Sequence, residues 1–303
     1  MGGEDLRKAL IALGERLRAR TDIVVGSGRV NPDRRTSSGN LSRALPASKV
    51  SSISTMTTNP EVNRLYAAWR RLGVNFSVTS CTEMVEVEPL IEATAAVAGA
   101  DERLTICAIS WLALYHSFVD GRRLSELTRD SAPTVRSYLG IMLSLAIEAP
   151  DGAGRAPQYE AALAHCKPLR RPRALYDNVE ALPAFREWAR MRGLPVYRRW
   201  GFWHDDVTLK LVSVHPLARI LKVPELRARA LCGPSIEAAF MAHAMDRITN
   251  ARSLSRDIGV SYAAAHAAVE RLVGRGLLLR HRNGVRQELS PSTFAVNALK
   301  VES

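Results

Sequence analysis

NARSLSRDIGVSYAAAHAAVERLVGRGLLLRHRNGVRQELSP, residues 250–291, decides how this 303-residue chain is read. Within it, SLSRDIG (253–259) has the form of a short helix, with Ser253 placed as its N-cap and Gly259 at its end. Val260-Ser261 makes a turn, and the Ser261 hydroxyl can cap a third helix running from about Tyr262 to Val273. Gly274 and Gly276 bracket the exit from that helix. LLLRHRNGVRQEL (277–289) then predicts a β-hairpin, because Asn283-Gly284 tolerates the positive φ angles of a tight two-residue turn. Immediately upstream, IEAAFMAHAMDRI (236–248) supplies a first helix, with Ile236, Phe240, Met241, Met245 and Ile248 available for a core.

Helix, short helix, turn, helix and Asn-Gly hairpin is the element order of a winged helix-turn-helix. RSLSRDIGVSYAAAHAAVERLVGRGLL resembles the second helix, recognition helix and wing entry of MarR-, ArsR- and GntR-like bacterial regulators, over residues 236–292. That resemblance implies that Ala265, Val269 and Leu272 pack on the other two helices. It implies that Tyr262, Ala263, His266 and Ala267 face the major groove, with Ser261 at the tip. The alanines depart from the usual Arg, Asn or Gln, so modest base specificity is expected. Arg280, Arg282 and Arg286 on the wing would meet phosphates or the minor groove, and Arg252, Ser253 and Ser255 the backbone.

A second segment has a similar shape. In RRLSELTRDSAPTVRSYLGIMLSLAIE (122–148), Leu124-Ser125, Ser131, Val135 and Leu139 match Leu254-Ser255, Ser261, Ala265 and Val269 at a constant offset. On that analogy Thr134, Arg136 and Ser137 face DNA while Val135, Leu139 and Met142 are buried. No wing follows, which leaves a purely structural or dimerising role open.

Working further outward, residues 4–20 form an amphipathic pattern (Leu6, Leu10, Leu13, Leu17), and residues 21–60 resemble a flexible basic tail. EVNRLYAAWRRLG (61–73), PLIEATAAVAG (89–99) and RLTICAISWLALYHSFV (103–119) predict helices, the last apolar nearly all round and therefore central. DGAGRAP (151–157) is a break. From Lys167 to Arg199 nine basic residues face three acids, with Trp188, Tyr197, Trp200, Phe202 and Trp203 interleaved or adjacent. Such a stretch can hold phosphates and stack bases. The plainer expectation is a helix that buries Phe185 and Trp188 and turns its arginines to water. The predicted organisation is a basic helix and tail (1–58), a helical domain (59–150), a basic linker domain (151–232) and a winged domain (233–303).

Composition bounds the partner. Lys plus Arg number 42 against 30 acids, a net charge of +12, which favours a polyanion. Aromatic residues are scarce at 6%, and Ala, Leu and Arg dominate, so the expected fold is mainly α. No apolar run reaches the roughly 18–20 residues that cross a bilayer, and no membrane partner is expected. Cys81, Cys107, Cys166 and Cys232 are widely spaced and lack CxxC pairing, so buried free thiols are expected rather than a metal site. Trp203-His204-Asp205-Asp206 is the densest polar cluster, but adjacent side chains diverge and no second cluster completes a ligand set. The sequence contains no nucleophile-elbow, phosphate-loop, dinucleotide or zincin motif. The sequence therefore predicts tandem helix-turn-helix modules, the C-terminal one winged with a small β-hairpin, in a non-enzymatic, cofactor-free transcriptional regulator. Its partner would be double-stranded DNA, a homodimer is left open, and the location expected is cytoplasmic and nucleoid-associated. A plasmid or phage replication initiator with two winged helices, and a protein-interaction scaffold of defence or antitoxin type, are the alternatives.

Overall fold

The computed structural model describes residues 60–149, 156–205, 208–246, 249–283 and 286–299. The amphipathic segment at 4–20, the tail, Asp206, Ile248 and most of the 151–157 break lie outside the described residues. Contacts divide the chain into Met1–Met56 and Thr57–Ser303, and every described residue belongs to the second unit.

That unit is mainly helical. Helix α1 (Pro60–Arg71) buries Val62, Leu65 and Trp69, one apolar stripe at helical spacing. Helix α2 spans Val87–Val97 and α3 spans Glu102–Tyr115. In α3, Asp101 is the N-cap and accepts from the Leu104 amide at 2.9 Å. Nearly every residue of α3 beyond its first turn is buried, which is why the segment carries no polar face. After α4 (Gly121–Asp130), α5 (Pro133–Glu148) runs beside α3 as the second buried helix.

The expected boundary at 150/151 does not divide the core. The chain from 156 onward forms α6 (Pro157–Leu163), strand β1 (Arg173–Ala174), a turn of helix α7 (Asp177–Glu180), α8 (Pro183–Arg192), α9 (Pro195–Arg198) and strand β2 (Phe202–Trp203). Strands β1 and β2 pair in parallel. Tyr159, Tyr176, Tyr197, Trp200 and Phe202 from this region enter the same core as Trp69, Trp111 and Leu139. A separate linker domain is therefore corrected: the basic region is a covering layer on the helical body. Two contacts explain the closeness. The Tyr138 hydroxyl donates to the Leu175 carbonyl at 2.9 Å, and a Cβ at Gly140 would lie 2.5 Å from the Trp200 indole. Buried tryptophans keep their N–H groups satisfied, Trp69 on Thr94 at 2.8 Å, Trp111 on the Leu72 carbonyl at 2.9 Å and Trp200 on Ser144 at 2.9 Å.

After α10 (Leu217–Ile220), helix α11 (Pro224–Cys232) joins two cores. Its Leu226 belongs to the first and its Ala228 to a second built from residues 228–295. Two buried ion pairs tie α11 down. Arg71 grips Glu225 through Nε at 2.6 Å and Nη2 at 3.1 Å, and the Val85 amide adds a bond at 3.0 Å. Arg229 grips the fully buried Glu88 at 2.5 and 2.9 Å and also donates to the Phe118 carbonyl. The Asp120 amide completes the shell of Glu88 at 2.7 Å. Each carboxylate thus meets a bidentate guanidinium and a backbone amide, which is what a charge taken out of water requires.

The C-terminal part contains α12 (Ile236–Asp246), α13 (Ala251–Ile258), α14 (Tyr262–Gly274), strands β3 (Leu278–Asn283) and β4 (Arg286–Pro291), and α15 (Thr293–Leu299). Phe240 and Met241 on α12 are fully buried, with Ile236 and Met245 packed alongside. Strands β3 and β4 pair antiparallel from Leu278↔Pro291 to Asn283↔Arg286, and Thr249 adds an isolated bridge to Leu289.

Candidate nucleic-acid interface

The geometry around α14 begins with how α13 is started and stopped. The sequence assigns the N-cap to Ser253, whereas the cap is Asn250, three residues earlier. The Asn250 side chain accepts from the Ser253 amide at 2.9 Å, and the Ser253 hydroxyl accepts from the Asn250 amide at 3.2 Å. This reciprocal box satisfies two otherwise orphaned amides, and it occupies the Ser253 hydroxyl, which also lies 2.6 Å from Thr249 Oγ1. Gly259 then takes a left-handed φ of 70°, which a residue bearing Cβ reaches only at a cost. Ser255 closes the turn by donating to the Val260 carbonyl at 2.6 Å. Ser261 caps α14 by accepting from the Ala264 amide at 3.2 Å. Ser253, Ser255 and Ser261 are therefore engaged in holding the α13–α14 angle.

Helix α14 divides cleanly into faces. Ala265, Ala268, Val269 and Leu272 are buried against the second core. Tyr262 is 56% exposed, Ala263 and His266 are exposed, and Ala267 is half-buried. The Tyr262 and His266 rings lie 6.0 Å apart along the exposed face. The next position on that ridge is Glu270, which sequence reasoning passed over. Its carboxylate lies 3.5 Å from His266 Nε2 and pairs with Arg280 of β3. Arg280 is thus held against α14 by an acid rather than projecting alone. The signal was available, since 262, 266 and 270 are one helical ridge.

Other cations around α14 divide by partner. Arg252 and Arg256 are exposed on α13. Arg271 turns back to α12 and pairs with Glu237 at 2.5 Å. Burial works to raise the Glu237 pKa, but hydrogen bonds from Arg271, backbone and Ser235 outweigh it and hold the carboxyl below its usual range. Backbone pairing places Arg282 opposite Gln287 and Arg286 opposite Asn283 near the hairpin end; the side chains of these two arginines lie outside the described part of the hairpin. The α13–α14 turn also lines a groove of about 610 Å³ whose far wall, on α4, includes Arg122 and Arg123.

The upstream segment needs correction. Thr134 is exposed, but Ser137 is 1% exposed and donates to the Lys167 carbonyl at 2.7 Å. Arg136 is half-buried, and its Nε has no hydrogen-bond partner among the described residues. The cause is the covering layer: α6 packs along α4, and Lys167 and Trp200 lie over α5. Leu139 and Met142 are buried as expected, and Val135 is partly buried. Ser137, buried beneath Lys167, is therefore not presented to a groove, whereas Thr134 stays exposed and Arg136 is half-buried.

The basic aromatic region also differs from expectation. Phe185 and Trp188 are 58% and 41% exposed, and Ala189 is the one buried residue of α8. His204 stands edge-on between Tyr176 and Tyr197, with centroids at 5.4 and 5.2 Å. Among the described residues no group of three His, Cys, Asp or Glu is arranged to hold a metal ion. The four cysteines carry free thiols, and burial pushes Cys166 up to about 12 and Cys232 up to about 11. No described helix is long and apolar enough to cross a membrane. No protein-family model, curated protein or solved structure matches the chain, so the functional reading rests on these residues themselves.

Proposed function

We propose that residues 236–299 act as a winged helix-turn-helix that binds double-stranded DNA, and that the chain is a transcriptional regulator. The observation that carries this reading is the exposed ridge of α14. It is capped at its tip by Ser261, flanked by the exposed Arg252 and Arg256, and bordered by an arginine-bearing hairpin. A helix whose inner face is buried, and whose exposed ridge carries Tyr262, Ala263, His266 and Glu270 with Arg271 beside it, is free to lie along a major groove. Small side chains let the helix approach closely, and Tyr262 and His266 supply hydrogen-bonding groups. Arginines on α13 and the hairpin neutralise phosphates, consistent with the +12 net charge.

Selection of a duplex from a random pool, followed by a salt titration, tests this. Affinity should fall steeply and log-linearly with salt, and Tyr262→Ala/His266→Ala should flatten the preference for the selected sequence. Salt-independent binding, or failure to enrich any duplex, contradicts it. Glu270 favours a second reading, a protein-binding module, because a carboxylate in the middle of the exposed ridge opposes phosphate contact. A stoichiometric protein partner displaced by Glu270→Arg, with no duplex bound, is the outcome that reading requires.

A further inference from the structure

Outside the C-terminal site, the most unusual surface is α8. Leu182, Phe185, Trp188, Met191 and Leu194 are 51%, 58%, 41%, 73% and 41% exposed, five of the nine large apolar side chains exposed among the described residues. They crowd into thirteen consecutive positions. The helix rests on β1 and β2 through Ala189 and turns Phe185, Trp188 and Met191 away from the core. A contiguous exposed apolar sector of this kind marks a binding surface.

Charge decides what fits it. Residues 182–199 hold five arginines and one glutamate. The Arg192 guanidinium lies 5.2 Å from the Trp188 ring and Arg190 5.7 Å from the Trp203 ring. Arg198 bonds the carbonyls of Arg190 and Gly193 at 3.0 and 2.8 Å and so fixes the end of α8. Pairing with a second copy would set arginine against arginine. A polyanion with planar apolar faces matches both features at once.

We propose that the outward face of α8 is a platform for a single strand of DNA. Phe185 and Trp188, one helical turn apart, stack unpaired bases, and Arg192 and Arg199 meet the phosphates, while Arg190 is paired with Glu187 at 3.6 Å. A paired duplex hides its base faces and offers this surface only phosphates. The platform is independent of the α14 site, and each stands or falls alone.

The test uses the full chain and a fluorescein-labelled oligo(dT) 12-mer, with binding followed by anisotropy at fixed low salt. Removing one base stack costs roughly tenfold, so Phe185→Leu/Trp188→Leu should weaken binding by about 100-fold. Phe185→Tyr/Trp188→Tyr, which keeps the rings, should stay within about threefold of wild type. Both variants should retain the parental circular dichroism and the parental affinity for a duplex. Equal binding by the leucine variant overturns the proposal, as does absence of oligo(dT) binding by the wild type. Parallel loss of duplex binding in the leucine variant overturns it too, by making α8 part of a duplex site. Two further outcomes would overturn it in favour of other occupants. Trp188-dependent binding of phosphatidylglycerol vesicles without oligo(dT) binding would assign the face to a membrane surface. Binding of polyglutamate as tightly as oligo(dT), by wild type and leucine variant alike, would reduce the surface to its charge.

Discussion

Glu270→Gln is the perturbation that separates DNA binding from its alternatives most sharply. In the free protein Glu270 holds Arg280 and faces His266, and both partners of the Glu270–Arg280 pair are well exposed, at 45% and 34% of their side chains. An ion pair so open to water contributes about 0–1 kcal/mol, so the substitution should leave folding stability almost unchanged. Its effect on binding should be larger. A carboxylate about 8 Å from a phosphate, in a medium between water and protein surface, is repelled by about 0.5–2 kcal/mol. Removing it should tighten duplex binding by about two- to thirtyfold at low salt. Arg280 is released at the same time and can take a phosphate of its own, so the log–log salt slope should steepen by roughly 0.9. Anisotropy on one labelled duplex across a salt series of roughly 50–200 mM, with thermal denaturation of both proteins, measures all three quantities. Weaker binding with loss of preference at one base pair would refute this reasoning, because Glu270 would then be accepting from a cytosine amino group. An unchanged slope would show that Arg280 never reaches phosphate.

Arg229→Ala should destabilise the fold by about 3–5 kcal/mol in urea, because it strands the fully buried Glu88 charge. Glu88→Gln/Arg229→Met should recover most of that loss, and equal damage from single and double variants would contradict the pairing. Gly140→Ala should cost about 1–3 kcal/mol, since its Cβ would press on the rigid Trp200 indole at 2.5 Å. Asn250→Ala should cost about 1 kcal/mol through loss of the cap on α13, whereas Ser253→Asn should leave the Asn250 half of the box intact. The Glu237 carboxyl titrates below its usual range in the folded state and so binds protons less readily there than in the unfolded chain. The stability it contributes is present above the unfolded pKa and lost as pH falls through the folded one. Glu237→Gln should therefore flatten the fall in stability below about pH 4.5; an unchanged acid limb would exclude the Arg271–Glu237 pair as its source.

What the sequence made legible is local. The buried face of α14, the turn at Gly259-Val260-Ser261 and the existence of an antiparallel hairpin follow from periodicity, capping chemistry and strand-forming residues within a short window, but Asn283 pairs with Arg286 as the last residue of β3 rather than standing at the centre of the turn. Even there, Ser253 and Asn250 are equally good cap formers by type, and the helix starts at Asn250, next to Thr249 in its bridge with Leu289. What was not legible depends on partners distant in sequence. Glu225 and Arg229 look like ordinary solvated helix charges until Arg71 and Glu88 meet them across 154 and 141 residues. Ser137 follows the pattern of a groove-facing position, yet Lys167 covers it. In α8 the aromatic residues promise burial by type, but the two-residue strands beneath that helix cover only Ala189, so Phe185 and Trp188 stay outside. Hydrophobicity identified an apolar sector there without saying whether the chain itself would cover it.

The central claim is that the α13–α14–hairpin module holds this chain on double-stranded DNA. Its most direct test is a genome-wide pull-down of the tagged full chain, wild type against Arg252→Ala/Arg282→Ala/Arg286→Ala. A few sharp peaks near promoters, lost in the variant while the protein remains folded, is the predicted result. Absence of DNA enrichment in the wild type, or peaks that persist unchanged in the variant, would contradict it.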